Sequence, residues 1–133
     1  MIGLDTNVVV RLMIEDDETQ ARRARRLLDE AAERDEPVFI SDIVLSELEW
    51  VLDSAYQVPR HRILAAVNAL AGDTRFCFED QNRVTSALGL YQRGKGDLAD
   101  YLLGLQGEKE GAQTTFTFDR ALRGDARFTL LRS

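Results

Sequence analysis

One cysteine, Cys77, and one histidine, His61, stand in the whole chain. A lone cysteine excludes an intrachain disulfide and a thiolate zinc cage, and it suits a reducing compartment. A lone histidine leaves no His-based triad, zinc ligand pair or histidine relay to assemble. No apolar run approaches the roughly 20 residues that a membrane-spanning helix needs. No charged start followed by a long apolar stretch marks a secretory leader, so the expectation is a cytoplasmic protein with no membrane contact. Prolines are scarce, and Pro37 and Pro59 both fall between segments that read as separate elements. Basic residues are outnumbered 17 to 23, for a net charge of −6, which argues against a broad phosphate-neutralising surface. A nuclease whose phosphate contacts are local remains open, and an acidic surface suits a basic protein partner. Whatever chemistry the chain performs must run on carboxylates and hydroxyls, with or without a metal.

What is present is the composition of a folded domain. With 133 residues, 44% of them hydrophobic and 30% charged, the chain can bury one core and forms a single domain over residues 1–133. Residues 1–5 read as a short buried strand and 6–13 as a short helix. A long helix over 17–34 carries Ala21, Ala24, Leu27, Leu28 and Ala31 on one side. A strand at 37–40 leads to Ser41, which suits the N-cap of a helix reaching residue 55. Further helices are expected at 60–71, 80–92 and 97–109, with strands at 75–78, 114–118 and 128–131. Alternation of this kind implies an α/β fold with a mostly parallel sheet and helices on both faces. Ligands of such sheets bind beyond the carboxyl ends of the strands.

Acidic residues fall at that end. Asp5 follows the first strand and Asp119 follows Thr115-Phe116-Thr117-Phe118. Each also suits a helix cap, and so do Thr6 and Asn7, so neither tripeptide speaks for catalysis alone. Helical spacing over Ile43, Val44, Leu48, Val51 and Leu52 places Glu47 inside a buried stripe and Glu49 on the solvated face. A glutamate buried there needs a partner, either an ion-pair cation or a metal. Asp97 and Asp100 open a helix three residues apart on one face; Asp97 reads first as a complement to the helix dipole, and Asp100 as the ligand candidate. Thr117 can orient a neighbouring carboxylate through its hydroxyl. Arg93 and Lys95 flank the acids and can hold a phosphate backbone. Arg22, Arg23, Arg25 and Arg26 look like a nucleic-acid patch, but Glu18–Arg22, Arg25–Asp29 and Arg26–Glu30 are four-residue helical pairs of a solvated face. Trp50 and Tyr56 are candidate surface anchors for a partner. Gathered acids without cations repel one another, and a divalent metal is the simplest compensation.

Leu4-Asp5-Thr6-Asn7-Val8, Ser46-Glu47-Leu48, Asp97-Leu98-Ala99-Asp100 and Thr117-Phe118-Asp119-Arg120, in that order, resemble the PIN-domain ribonucleases, and among them the VapC toxins of toxin–antitoxin pairs. The resemblance covers nearly the whole chain. It implies a three-layer α/β/α fold around a mostly parallel sheet. It implies a metal-dependent endoribonuclease in which Asp5, Glu47, Asp100 and Asp119 form an acidic pocket for Mg²⁺ or Mn²⁺, with Asp97 at its edge and Asn7 and Thr117 behind it. It also implies an RNA substrate, products ending in 3′-hydroxyl and 5′-phosphate, a homodimer, and a cognate antitoxin that plugs the site. Leu98 and Tyr101 depart from the commoner form of the third motif without removing a carboxylate. The alternative is a non-catalytic partner-binding module of the same fold.

Overall fold

The computed structural model describes residues 1–131. Among these residues five strands and six α-helices run in the order β1 (Ile2–Gly3), α1 (Thr6–Met13), α2 (Glu18–Glu33), β2 (Val38–Ile40), α3 (Asp42–Ser54), α4 (Arg60–Ala71), β3 (Phe76–Phe78), α5 (Gln81–Arg93), α6 (Leu98–Lys109), β4 (Thr115–Thr117) and β5 (Phe128–Leu130). A single 3₁₀ turn, Arg120–Leu122, separates the last two strands. This is the α/β/α layering expected, and β2 to β5 are short runs rich in β-branched or aromatic residues, which pack well on a pleated surface.

Every described pairing is parallel. Ile2 lies opposite Val38, Val38 opposite Phe76, and Thr115 opposite Phe128. The strands form two ladders, β1-β2-β3 and β4-β5, and among the described residues no hydrogen-bonded ladder joins β1 to β4. The expected single sheet is thus divided at its middle. Parallel pairing still puts Asp5, Ser41 and Asp119 at the carboxyl ends of their strands.

Helix starts follow the sequence signals. Asp5, Asp17, Ser41 and Asp80 each accept a backbone N–H of the helix they open, which satisfies a donor that has no intrahelical partner. The core joins Val9, Val10, Val38, Ile40, Leu45, Leu48, Ile63, Val67, Val84, Leu98 and Leu102, so α1, α3, α4, α5 and α6 all bury a face in it. Asp42, buried at the first turn of α3, binds Arg83 Nε of α5 at 2.7 Å and Gln106 Nε2 of α6 at 2.8 Å, tying three helices together.

The helical stripe of α3 is rotated from the sequence expectation. Val44, Leu45, Leu48, Glu49 and Leu52 are buried, whereas Ile43 is 70% exposed and Glu47 is exposed. The helix packs against α1, α4 and α6 at once, so its buried arc is centred on positions 45, 48 and 52. That arc takes in 49 and leaves out 43 and 47. The arginine-rich face of α2 also differs: Arg26 pairs with Glu30 at 3.1 Å, but Arg25 reaches back to Glu15 and not to Asp29.

Candidate active site

Asp5 ends β1 in extended backbone and accepts the Thr6 N–H at 2.7 Å on its carboxylate. The Thr6 hydroxyl, itself buried, donates to Glu47 Oε1 at 3.2 Å. One threonine therefore links the first acid to the second across 41 residues of chain. Asn7 is exposed on the next position of α1. The cap reading of Asp5 holds, and the cap occupies only Oδ1.

At the start of α6 Asp100 Oδ2 accepts the Asp97 N–H at 2.9 Å, so the carboxylate of the helix's third residue closes its own first turn. Burial raises the Asp100 carboxyl above its ordinary value, and the charges of Asp97 and Asp119 push it further the same way. Asp97, Asp100 and Asp119 thus share one negative field. Asp119 caps the 3₁₀ turn through the Ala121 N–H at 2.9 Å, and the Thr117 hydroxyl accepts the Asp119 N–H at 3.0 Å. Thr117 acts on the backbone of residue 119.

The acids are brought together in two groups, Asp5 with Glu47 and Asp100 with Asp97 and Asp119. Among the described residues no three carboxylates converge as a preformed metal cage. None of the five acids has a cationic partner among the described ion pairs, whereas Asp42, Glu79, Asp80 and Asp125 do. The ion-pair reading of Glu47 therefore finds no support. An all-oxygen, uncompensated anionic donor set has the chemistry that a hard divalent cation takes. Arg93 and Lys95 are exposed beside the third motif and form no ion pair among the described residues.

Glu49, expected on the solvated face, is buried. It is 4% exposed, and its Oε1 accepts the Leu98 N–H at 2.7 Å, capping α6 from another helix. Burial pushes its carboxyl up, opposed by that hydrogen bond. The signal available in the sequence was its i,i+4 spacing from Leu45. Tyr56 is no free anchor: its hydroxyl donates to Asp16 at 2.7 Å and receives Arg11 at 3.1 Å. Trp50 is 67% exposed and stays a candidate. A cleft of about 520 Å³ between α1, α2, α4 and β3 is lined by Val9, Leu12, Leu28, Leu70 and Phe76 and contains none of the five acids.

The family model for the PIN domain matches residues 2–124. A protein of Aquifex aeolicus (strain VF5) described as a VapC ribonuclease is 24% identical over 120 residues, which covers 90% of this chain and 88% of that protein. The match spans both groups of acids and every strand start that precedes them, so that this chain belongs to the PIN-domain family.

Proposed function

We propose that the protein is a divalent-metal-dependent endoribonuclease, the cytoplasmic toxin of a toxin–antitoxin pair. The observation that carries this reading is the set of five acids, drawn from four distant segments, that have no cation among the described residues. Family membership and the likeness to a VapC ribonuclease support it. Asp5, Asp100, Glu47 and Asp119 would hold Mg²⁺ or Mn²⁺. The chemistry that such a cation would supply, when bound, is a more acidic water and compensation of the charge that grows on a phosphodiester under attack.

The chain's own groups do the rest. Thr6 aims Glu47, and the Asp97 N–H fixes one oxygen of Asp100, so both carboxylates are oriented before any ligand arrives. Thr117 steadies the backbone that carries Asp119. Arg93 and Lys95, which form no ion pair among the described residues, would supply positive charge for the RNA backbone. With water as the attacking group, no covalent intermediate is needed.

The exposed Ile43 and Trp50 lie on the same side of α3 as Glu47 and support a partner there: the cognate antitoxin, a second copy, or both. The same observation favours the second reading, a partner-binding module without catalysis. The test is cleavage of total cellular RNA by the purified protein with Mg²⁺, with EDTA, and with Asp5→Asn. Discrete metal-dependent products with 3′-hydroxyl and 5′-phosphate ends, absent from the variant, are expected. Cyclic 2′,3′-phosphate ends would overturn the mechanism, and no cleavage by folded protein freed of antitoxin would favour the module.

A further inference from the structure

Between α5 and α6 the chain runs through Gly94-Lys95-Gly96-Asp97, and side chains from three helices fasten it. Arg60, the first residue of α4, donates from Nη2 to the carbonyls of Tyr91 at 2.8 Å, Gly94 at 3.2 Å and Gly96 at 2.7 Å. Its guanidinium carbon sits 3.8 Å from the centroid of the Tyr91 ring, whose buried aromatic face it covers. The Tyr101 hydroxyl of α6 accepts the Gly96 N–H at 2.9 Å. Glu49 of α3 takes the Leu98 N–H at 2.7 Å. The fit is close enough that a Cβ at Gly94 would overlap the Tyr101 hydroxyl, and one at Gly96 would come within 2.6 Å of Leu122.

The turn leads directly into Asp97 and Asp100. We infer that Arg60 is a positioning residue of the acidic site: by gathering three carbonyls on one nitrogen it fixes the turn from which these two carboxylates project. Arg60 itself touches neither the acids nor any reacting atom, and it acts through the backbone. The inference rests on the nuclease reading, and it names a residue that none of the four acidic motifs contains. Two of the three carbonyls, of Tyr91 and Gly94, belong to the end of α5, and the third, of Gly96, lies just before α6. A single guanidinium therefore sets the relative position of the two helices at the point where the acids emerge. Substitution of one supporting group behind a metal ligand typically lowers metal affinity or activity about 10–100-fold.

The experiment compares full-length wild type, Arg60→Ala, Arg60→Lys, Arg60→Met and, as a control, Arg62→Ala, which removes an exposed cation one turn-position away. Three quantities are read: Mn²⁺ binding by titration calorimetry, kcat and KM for an RNA substrate, and amide hydrogen exchange of residues 94–98 in the metal-free protein. Arg60→Ala is expected to weaken Mn²⁺ binding about tenfold or more and to lower kcat more than it changes KM. Exchange at Gly96 and Leu98 should quicken before any metal is added. Arg60→Lys should recover part of the loss, because an ammonium has three N–H donors for the three carbonyls that Nη2 serves with two, whereas Arg60→Met keeps an unbranched chain without a donor and recovers none. Arg62→Ala should match wild type. If Arg60→Ala is too unstable to assay, the Lys and Met pair decides the matter alone. Wild-type Mn²⁺ affinity and kcat in Arg60→Met, even with a lowered melting point, would overturn the inference and leave the nuclease reading standing. A wild-type protein that neither binds Mn²⁺ nor cleaves RNA would overturn both.

Discussion

Glu49 permits the sharpest test of how the acidic end of α6 is held. Its carboxylate is buried and its one hydrogen bond goes to the Leu98 N–H, a first-turn donor with no partner inside α6. Replacement by alanine orphans that donor at a cost of about 1–3 kcal/mol. It also removes a buried methylene worth about 0.8 kcal/mol. The charge deleted was itself held at a cost in the folded protein, which returns part of the loss, so a net destabilisation of about 1–3 kcal/mol is expected at neutral pH. In a chain of this size each kcal/mol moves the melting point by about 3–5 °C, so Glu49→Ala should melt about 3–15 °C lower. Glu49→Gln keeps the acceptor and the volume while removing the charge. Burial raises the folded carboxyl above its unfolded value, so the folded state binds the proton more tightly. Stability of the wild type relative to Glu49→Gln should therefore fall as pH climbs from the ordinary glutamate range to the raised value, and be flat above it. At pH 7 the glutamine variant should be at least as stable as wild type. The assay is urea unfolding of the three proteins between pH 4 and pH 8. A glutamine variant that falls as far as alanine at pH 7 would refute the reasoning, since it would mean that α6 needs the ionised carboxylate.

Asp5→Asn should reduce RNA cleavage by about 10²–10³-fold or more while leaving the unfolding midpoint unchanged or raised, because asparagine still caps the Thr6 N–H; marked unfolding would make Asp5 chiefly a cap. Arg83→Ala leaves Asp42 buried without its cation and should cost about 3–5 kcal/mol in urea unfolding, and a loss under about 1 kcal/mol would deny that network a structural role. Burial, reinforced by the charge of Glu49, lifts the Tyr91 hydroxyl to about 12, so an ultraviolet titration of the wild type should show a late phase, still protonated at pH 11, that Tyr91→Phe lacks.

The division between what could be read and what could not follows from the range of the interactions. Helix caps at Asp5, Ser41 and Asp119 were legible because a cap is a bond between residues one to three apart. So were the strand and helix order and the acids at the strand ends, since periodicity and the parallel rule need only local spacing. The face of α3 was not. The same helix with the same residues could bury position 47 or position 49, and only its simultaneous packing against α1, α4 and α6 decides for 49. The gap between the β1-β2-β3 and β4-β5 ladders was equally hidden, because pairing between strands more than a hundred residues apart leaves no local trace. Arg60 reads in the sequence as one surface cation beside His61 and Arg62. Its role arises from carbonyls 31 to 36 residues away that tertiary folding brings to one nitrogen. The sequence by itself determined which elements form, in what order, and where the acids fall among them. The tertiary structure decided which carboxylates face outward uncompensated and which is spent holding a helix, because burial and partnership are properties of several segments at once.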